Sequence, residues 1–126
     1  ICIGETLEEY QQGETLNILR KQLEALSLDG MPDFNGCIIA YEPVWAIGSG
    51  LTPNQAEIQA TLQAIQSLVS ELGNTIGVPP ILYGGSVSRS NIEMINEISE
   101  CQGVLIGGAS LKVEQFLEII QCITCY

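Results

Sequence analysis

The chain has 126 residues, of which 4 are Lys or Arg, 15 are Asp or Glu and none is His, so its formal net charge is −11. This charge argues against nucleic acid and anionic membranes as partners, because both are bound through a basic face. The apolar share of 46% indicates a folded domain. No apolar run approaches the roughly 18 residues of a transmembrane helix. Without histidine, any catalysis must use carboxylates, thiols, hydroxyls or backbone groups.

Four short apolar segments predict strands that are buried on both faces of a parallel sheet, because they lack polar alternation. These segments are Ile1–Gly4, Cys37–Tyr41, Ile81–Gly84 and Val104–Gly107. The first of them begins without a methionine, as if in the middle of a strand. We therefore expect the chain to be a piece of a longer protein.

Apolar residues three or four positions apart predict an amphipathic helix after each strand. These residues are Leu16, Leu19, Leu23 and Leu26; Ile58, Leu62, Ile65, Leu68 and Leu72; Ile92, Ile95 and Ile98; and Phe116, Ile119, Ile120 and Ile123. Capping boxes predict helix starts at Thr6–Glu9, Thr52–Gln55 and Ser90–Glu93. Pro53 suits a first helical turn, and Asp29–Gly30 and Gly73–Asn74 predict helix ends.

The predicted order is therefore β-α-β-α-β-α-β-α, which forms one domain over residues 1–126. Repeated βα units of this kind build either an open doubly wound sheet or part of a (β/α)8 barrel. The pattern alone does not choose between these two architectures.

The cysteines are scattered along the chain, which is typical of buried thiols in a reducing, cytoplasmic compartment. Cys122 and Cys125 form a single C-x-x-C pair at the end of the chain. A zinc site would need a second pair or histidines, so we predict neither a metal site nor a redox site.

Chemistry in α/β folds gathers at the carboxyl ends of the strands. Glu5 follows the first predicted strand and Glu42 the second. Glycine-rich turns that contain a hydroxyl residue follow the last three strands, at 48–50, 84–86 and 107–110. Glycine lets the backbone approach a ligand closely, and its free N–H groups can bind an oxyanion. With so few basic side chains, we expect backbone amides and helix N-termini to hold a phosphate there.

Glu42 is the strongest candidate for chemistry because it lies at a strand end within an apolar run. Partial desolvation would make its carboxylate a stronger base, although a solvated carboxylate at the rim fits the local sequence equally well. The segment 43–53, which we call the lid segment, has a proline at each end, a glycine-rich tip and two large apolar residues, Trp45 and Ile47. This composition is typical of a lid that excludes water, and also of an ordinary βα loop.

These motifs together resemble triosephosphate isomerase. Residues Tyr41–Gly50 match the family's catalytic-glutamate and lid motif, and Cys2–Glu5 match its fifth strand. Tyr83–Val87 and Gly107–Lys112 match its two phosphate loops. The resemblance covers essentially the whole chain but only the carboxyl-terminal half of a family member. It implies half of a (β/α)8 barrel, from the fifth strand to the eighth helix.

The resemblance also implies a role for each candidate site residue. Glu42 would be the base that moves a proton between adjacent carbons of dihydroxyacetone phosphate and glyceraldehyde 3-phosphate. This family is a well-known example of a glutamate base paired with a neutral histidine. Ile47 and Leu105 would press on the Glu42 carboxylate under the closed lid and exclude water. Backbone N–H groups would bind the substrate phosphate at Gly48, Ser86, Gly107 and Gly108.

Three further contacts implied by the resemblance concern the lid segment. Glu5 would support it through Trp45, and Ser86 would hold its glycine-rich tip closed. The family tyrosine that matches Tyr83 usually bonds a backbone N–H in the far hinge. That hinge is short in this chain and Pro53 has no N–H, so the resemblance assigns no donor to this contact.

The family resemblance implies a cytoplasmic isomerase of glycolysis and gluconeogenesis that uses no cofactor or metal and is a homodimer at full length. The family also needs an Asn and a Lys after its first strand and a His after its fourth, and this chain has no counterpart to them. We therefore expect negligible isomerase activity from this chain alone, and self-association through its exposed sheet edges. The alternatives are another phosphate-binding barrel, against which the lid motif argues, and a non-catalytic half barrel that binds phosphate or assembles.

Overall fold

The computed structural model describes residues 1–27, 30–73 and 75–123. The strands in these ranges are β1 (Cys2–Ile3), β2 (Ile39–Tyr41), β3 (Ile81–Tyr83) and β4 (Gly103–Val104). The α-helices are α1 (Leu7–Gln11), α2 (Thr15–Glu24), α3 (Gln55–Leu72), α4 (Ile92–Asn96) and α5 (Val113–Ile123). Short 3₁₀ helices occupy Val44–Ala46 and Gly108–Leu111. No helix within the described ranges is long and apolar enough to cross a membrane.

The four strands form one parallel sheet in the order β1-β2-β3-β4. Ile3 pairs with Tyr41, Tyr41 with Tyr83, and Tyr83 with Val104, so these residues form one row across the sheet. The described strands lie in chain order, without the reversal that marks the switch point of a doubly wound sheet. The predicted parallel α/β fold is confirmed, and the strand order is consistent with part of a (β/α)8 barrel.

The strands are shorter than the apolar segments that predict them. The largest difference is in β4, which ends at Val104, whereas the prediction runs to Gly107. Leu105 N still donates to Tyr83 O at 2.9 Å, and beyond it the chain turns into a glycine-rich loop. An apolar segment therefore marks where a strand lies, but the change from ladder to loop depends on partners in the neighbouring strand.

The core lies between the sheet and the helices. Its helix residues include Leu19, Leu23, Ile58, Leu62, Ile65, Ile92, Ile95 and Ile119. The predicted burial of Leu16 and Leu26 is wrong, because their exposed fractions are 51% and 45%. A turn at Gly13, where φ is 74°, precedes the start of α2 at Thr15. Leu16 therefore lies in the first turn of α2, and Leu26 lies beyond its end at Glu24.

Of the three predicted capping boxes, one is present in the structure and two are not. The capping box Thr6–Glu9 is present, but it starts the short helix α1 and not the longer α2. Helix α3 is capped by Asn54 and Glu57, and not by the predicted pair Thr52–Gln55. Asn54 Oδ1 accepts from Glu57 N at 3.0 Å, and Glu57 Oε2 accepts from Asn54 N at 2.8 Å.

Helix α4 follows Asn91 and has no side-chain cap, so the predicted box at Ser90–Glu93 is wrong. Gly73 ends α3 as predicted. The predicted burial of the thiols is also only partly right, since Cys2 is exposed and the other three described cysteines are half-buried. Three residues named in the predictions lie outside the described ranges, namely Asp29, Asn74 and Cys125.

Candidate active site

Glu42 directly follows β2, and the ends of both neighbouring strands close around it. It is half-buried. A Cβ atom at Gly84, after β3, would overlap Glu42 Cγ, and one at Gly4, after β1, would overlap the Glu42 carbonyl oxygen. The hydrogen bond to Glu42, followed by burial, raises the pKa of the Cys2 thiol. Glycines on both sides of β2 therefore allow this carboxylate to lie between the strand ends.

A cleft of about 570 Å³ opens above these strand ends. Seven of the ten predicted site residues line it, namely Glu42, Ile47, Gly48, Ser86, Leu105, Gly107 and Gly108. They come from three successive strand ends, which meet because the strands are parallel. Among the described residues that line the cleft, Glu42 is the only one with an ionisable side chain. The remaining polar groups are backbone amides, hydroxyls and the amide of Asn91.

The glycines of the cleft serve two different purposes. Gly48 and Gly50 have φ values of 67° and 77°, which glycine adopts without strain, so the tip of the lid segment depends on them. A Cβ atom at Gly107 or Gly108 would meet nothing within 4 Å. The space above these two residues is therefore open to a ligand that approaches their backbone.

Ser86 contacts the lid segment on both sides of its tip, at Ala46 and at Gly50. Its hydroxyl donates to Ala46 O and accepts from Gly50 N, the latter at 3.3 Å. Within the segment, the Ser49 hydroxyl donates to Trp45 O at 2.9 Å and accepts from Leu51 N at 3.1 Å. These bonds hold the tip over the cleft, where Ile47 and Gly48 line it.

Glu5 is fully buried and contacts the start of the lid segment. Its Oε1 accepts from Trp45 Nε1 and from the Tyr41 hydroxyl, each at 3.1 Å, and its backbone oxygen accepts from Val44 N at 2.9 Å. Burial, followed by the negative charge of Glu5, raises the pKa of Tyr41. Tyr41 therefore stays neutral and donates. Glu5 Oε2 has no hydrogen-bond partner among the described residues.

The sequence profile of triosephosphate isomerases matches residues 1–123 of this chain. The chain belongs to the triosephosphate isomerase family. It is 40% identical over 124 residues to a triosephosphate isomerase of Legionella pneumophila strain Lens, covering 98% of the chain and 50% of the relative. It is 46% identical over 120 residues to that of Rhizobium meliloti strain 1021, covering 94% of the chain and 46% of the relative. The chain thus spans about half the length of the curated relatives it matches.

Tyr83 is the predicted site residue whose contact the triosephosphate isomerase resemblance left unassigned. Its side chain is fully buried, and its hydroxyl has no partner among the described residues. Burial, followed by the charge of Glu5, raises its pKa. A Cβ atom at Gly85 would overlap this hydroxyl, so any larger residue there has to displace the Tyr83 side chain.

Asn91 is a residue of the site that the sequence reasoning missed. Its Nδ2 donates to Ser86 O at 2.6 Å and to Thr52 Oγ1 at 3.3 Å, and its Oδ1 accepts from Ser88 N at 2.8 Å. It therefore joins the loop after β3 to the far end of the lid segment. Asparagine after a serine-rich turn is the available signal, although the capping-box pattern predicts the helix start at Ser90.

Proposed function

We propose that this chain is the carboxyl-terminal half of a triosephosphate isomerase, from the fifth strand to the eighth helix of a (β/α)8 barrel. The comparisons confirm the family but not this half. Support comes from the order of the motifs along the chain and from the strand order of the sheet. The row formed by Cys2, Ala40, Leu82 and Gly103 lies on the other face of the strands from Tyr41 and Tyr83. In this row Cys2 is exposed and Leu82 and Gly103 are half-buried, as expected where the rest of a barrel would pack, whereas Ala40 is already buried.

The observation that carries the proposed chemistry is that one cleft joins the Glu42 carboxylate to three glycine-rich loops. Glu42 acts as the base that moves a proton between adjacent carbons of a triose phosphate. The N–H groups of Gly48, Ser86, Gly107 and Gly108 bind the phosphate. When the lid segment closes, Ile47 and Leu105 exclude water from the carboxylate.

The other half of the barrel supplies the Asn, Lys and His that the reaction needs. The complete protein is a cytoplasmic homodimer that acts on triose phosphates in glycolysis and gluconeogenesis, without a cofactor. This chain alone has negligible activity. It also self-associates, because β1 and β4 each leave a sheet edge unpaired among the described strands.

The coding DNA upstream of the Ile1 codon provides the first test. An open frame of about another 120 residues is expected, given a barrel of about 250 residues. It should encode Asn and Lys after a first strand and His after a fourth. A start codon next to Ile1 would instead support the alternative, a half barrel that binds phosphate or assembles without catalysis.

Enzyme kinetics on the complete gene product test the role of Glu42. Glu42→Gln should lower kcat by about 10²- to 10⁴-fold, the usual share of a general base. Glu114→Gln, the same change on the exposed surface of α5, is the matched control and should keep wild-type kcat. An unchanged kcat in Glu42→Gln would contradict the assignment.

Light scattering on the chain alone tests self-association, and a monodisperse monomer with a cooperative melt would contradict that expectation.

A further inference from the structure

Tyr10, on helix α1, contacts Trp45 near the start of the lid segment and Glu57 in α3, the helix that follows the segment. Its ring lies against the Trp45 indole, with the ring centroids 4.6 Å apart and the planes at 32°. Its hydroxyl donates to Glu57 Oε1 at 3.0 Å. Trp45 is two residues after Pro43, and Glu57 is four residues after Pro53. One side chain therefore connects the start of the lid segment to the helix that follows its far end.

Both groups that Tyr10 contacts are themselves fixed. The second oxygen of Glu57 accepts from Asn54 N at 2.8 Å, within the capping box of α3. The Trp45 indole donates to the buried Glu5 at 3.1 Å. Tyr10 N donates to Thr6 O at 3.0 Å, which anchors the tyrosine to the start of α1. Tyr10 therefore contacts two side chains that other hydrogen bonds already hold in place.

We propose that Tyr10 is a positioning residue that holds the lid segment where Ile47 and Gly48 line the cleft. Movement of Trp45 away from this position breaks the ring contact, and movement of the first turn of α3, where the segment ends, breaks the bond to Glu57. The hydrogen bond to Glu57, followed by burial, raises the pKa of Tyr10, so its hydroxyl stays protonated and donates at neutral pH. The expected effect of this contact on phosphate binding rests on the proposed function, whereas its expected effect on the motion of Trp45 does not.

The test uses the complete gene product labelled with 5-fluorotryptophan, with the Trp45 resonance assigned by its loss in Trp45→Phe. Relaxation dispersion reports microsecond-to-millisecond exchange at the indole. Tyr10→Ala removes the ring, and Tyr10→Phe removes only the bond to Glu57. Glu71→Gln is the matched control, because it removes a surface contact between α2 and α3, away from the lid segment.

In the absence of any ligand, Tyr10→Ala should show increased exchange at Trp45, and Glu71→Gln should match the wild type. The dissociation constant for inorganic phosphate should rise by about 10- to 25-fold in Tyr10→Ala, because this variant loses both the aromatic contact, worth about five-fold, and the bond to Glu57. In Tyr10→Phe the same dissociation constant should rise by about two-fold to five-fold, the worth of one hydrogen bond. A merely structural role would lower the urea midpoint without changing exchange at Trp45.

Unchanged Trp45 exchange in Tyr10→Ala, with wild-type phosphate affinity, would overturn the proposal. If Tyr10→Ala does not fold, unchanged exchange in Tyr10→Phe would overturn it in the same way. Failure of the wild type to bind phosphate would instead refute the proposed function. The comparison of Trp45 exchange without ligand would still decide the role of Tyr10.

Discussion

A methyl group added at two glycines of the cleft should separate folding from phosphate binding. At Gly85 the new Cβ would overlap the buried Tyr83 hydroxyl, whereas at Gly108 it would meet nothing within 4 Å. Neither glycine has a positive φ, so alanine fits both backbones. Replacing glycine by alanine restricts the unfolded chain and stabilises by about 0.4–1 kcal/mol at either position. This gain is the same in both variants, so the difference between their free energies of unfolding measures the steric cost of the methyl group at Gly85.

We therefore expect the free energy of unfolding of Gly85→Ala to lie about 1–3 kcal/mol below that of Gly108→Ala, the usual cost of overpacking. Urea denaturation followed by circular dichroism measures this difference. Phosphate affinity should be lost in Gly108→Ala, because its methyl group points into the open space above the loop. Isothermal calorimetry with inorganic phosphate measures that loss in the folded protein.

Two results would refute this reasoning separately. Equal free energies of unfolding for the two variants would show that Tyr83 moves aside at little cost, against the steric argument. Wild-type phosphate affinity in Gly108→Ala would show that the loop at 107–108 does not bind the phosphate. The first result leaves the site assignment intact, and the second leaves the packing argument intact.

Three further changes test other contacts. Burial raises the pKa of Tyr41 and Tyr83 above the usual 10.0, so the unfolded state loses these protons first and stability should fall as the pH rises above about 10. This fall in the urea midpoint should be smaller in Tyr83→Phe. Asn91→Ala should lower the free energy of unfolding by about 1–3 kcal/mol and weaken phosphate binding, because it leaves Ser86 O and Ser88 N without their partner. Glu71→Gln should change the urea midpoint little, and not at all at high salt, because its bidentate pair with Arg20 is exposed.

The sequence predicted most of the fold because burial restricts composition. Apolar segments mark β2 and β3, and four of the five residues in the predicted stripe of α3 are buried, with Val69 in place of Leu72. Local polar signals were less reliable, since Thr52 and Asn54 can both cap a helix and only the backbone path selects Asn54. The break at Gly13 was likewise missed, because one glycine in an otherwise continuous helical pattern does not by itself specify a turn.

The candidate site was predictable where topology alone brings residues together. Glu42, Ser86 and Gly107 follow successive strands, and the carboxyl ends of neighbouring parallel strands lie at one edge of the sheet. Tyr10 could not be predicted, because its contacts with Trp45 and Glu57 depend on how α1 packs against the lid segment. Trp45 and Glu57 lie 35 and 47 positions after Tyr10 in the chain, and no local spacing in the sequence encodes contacts over such separations.

The charge of the chain excludes some ligands and not others, and the distribution of charge explains why. Half of the described carboxylates lie on exposed helix faces. Two of these, Glu71 and Glu93, form ion pairs with Arg20 and Arg89. A nucleic acid needs an extended basic surface, which a net charge of −11 cannot provide. A single phosphate needs only a few N–H groups directed at one point, and the glycine-rich loops can supply these without a cation. Net charge is therefore a sound argument about partners that cover a surface, but a weak one about a small ligand in a cleft lined by one carboxylate.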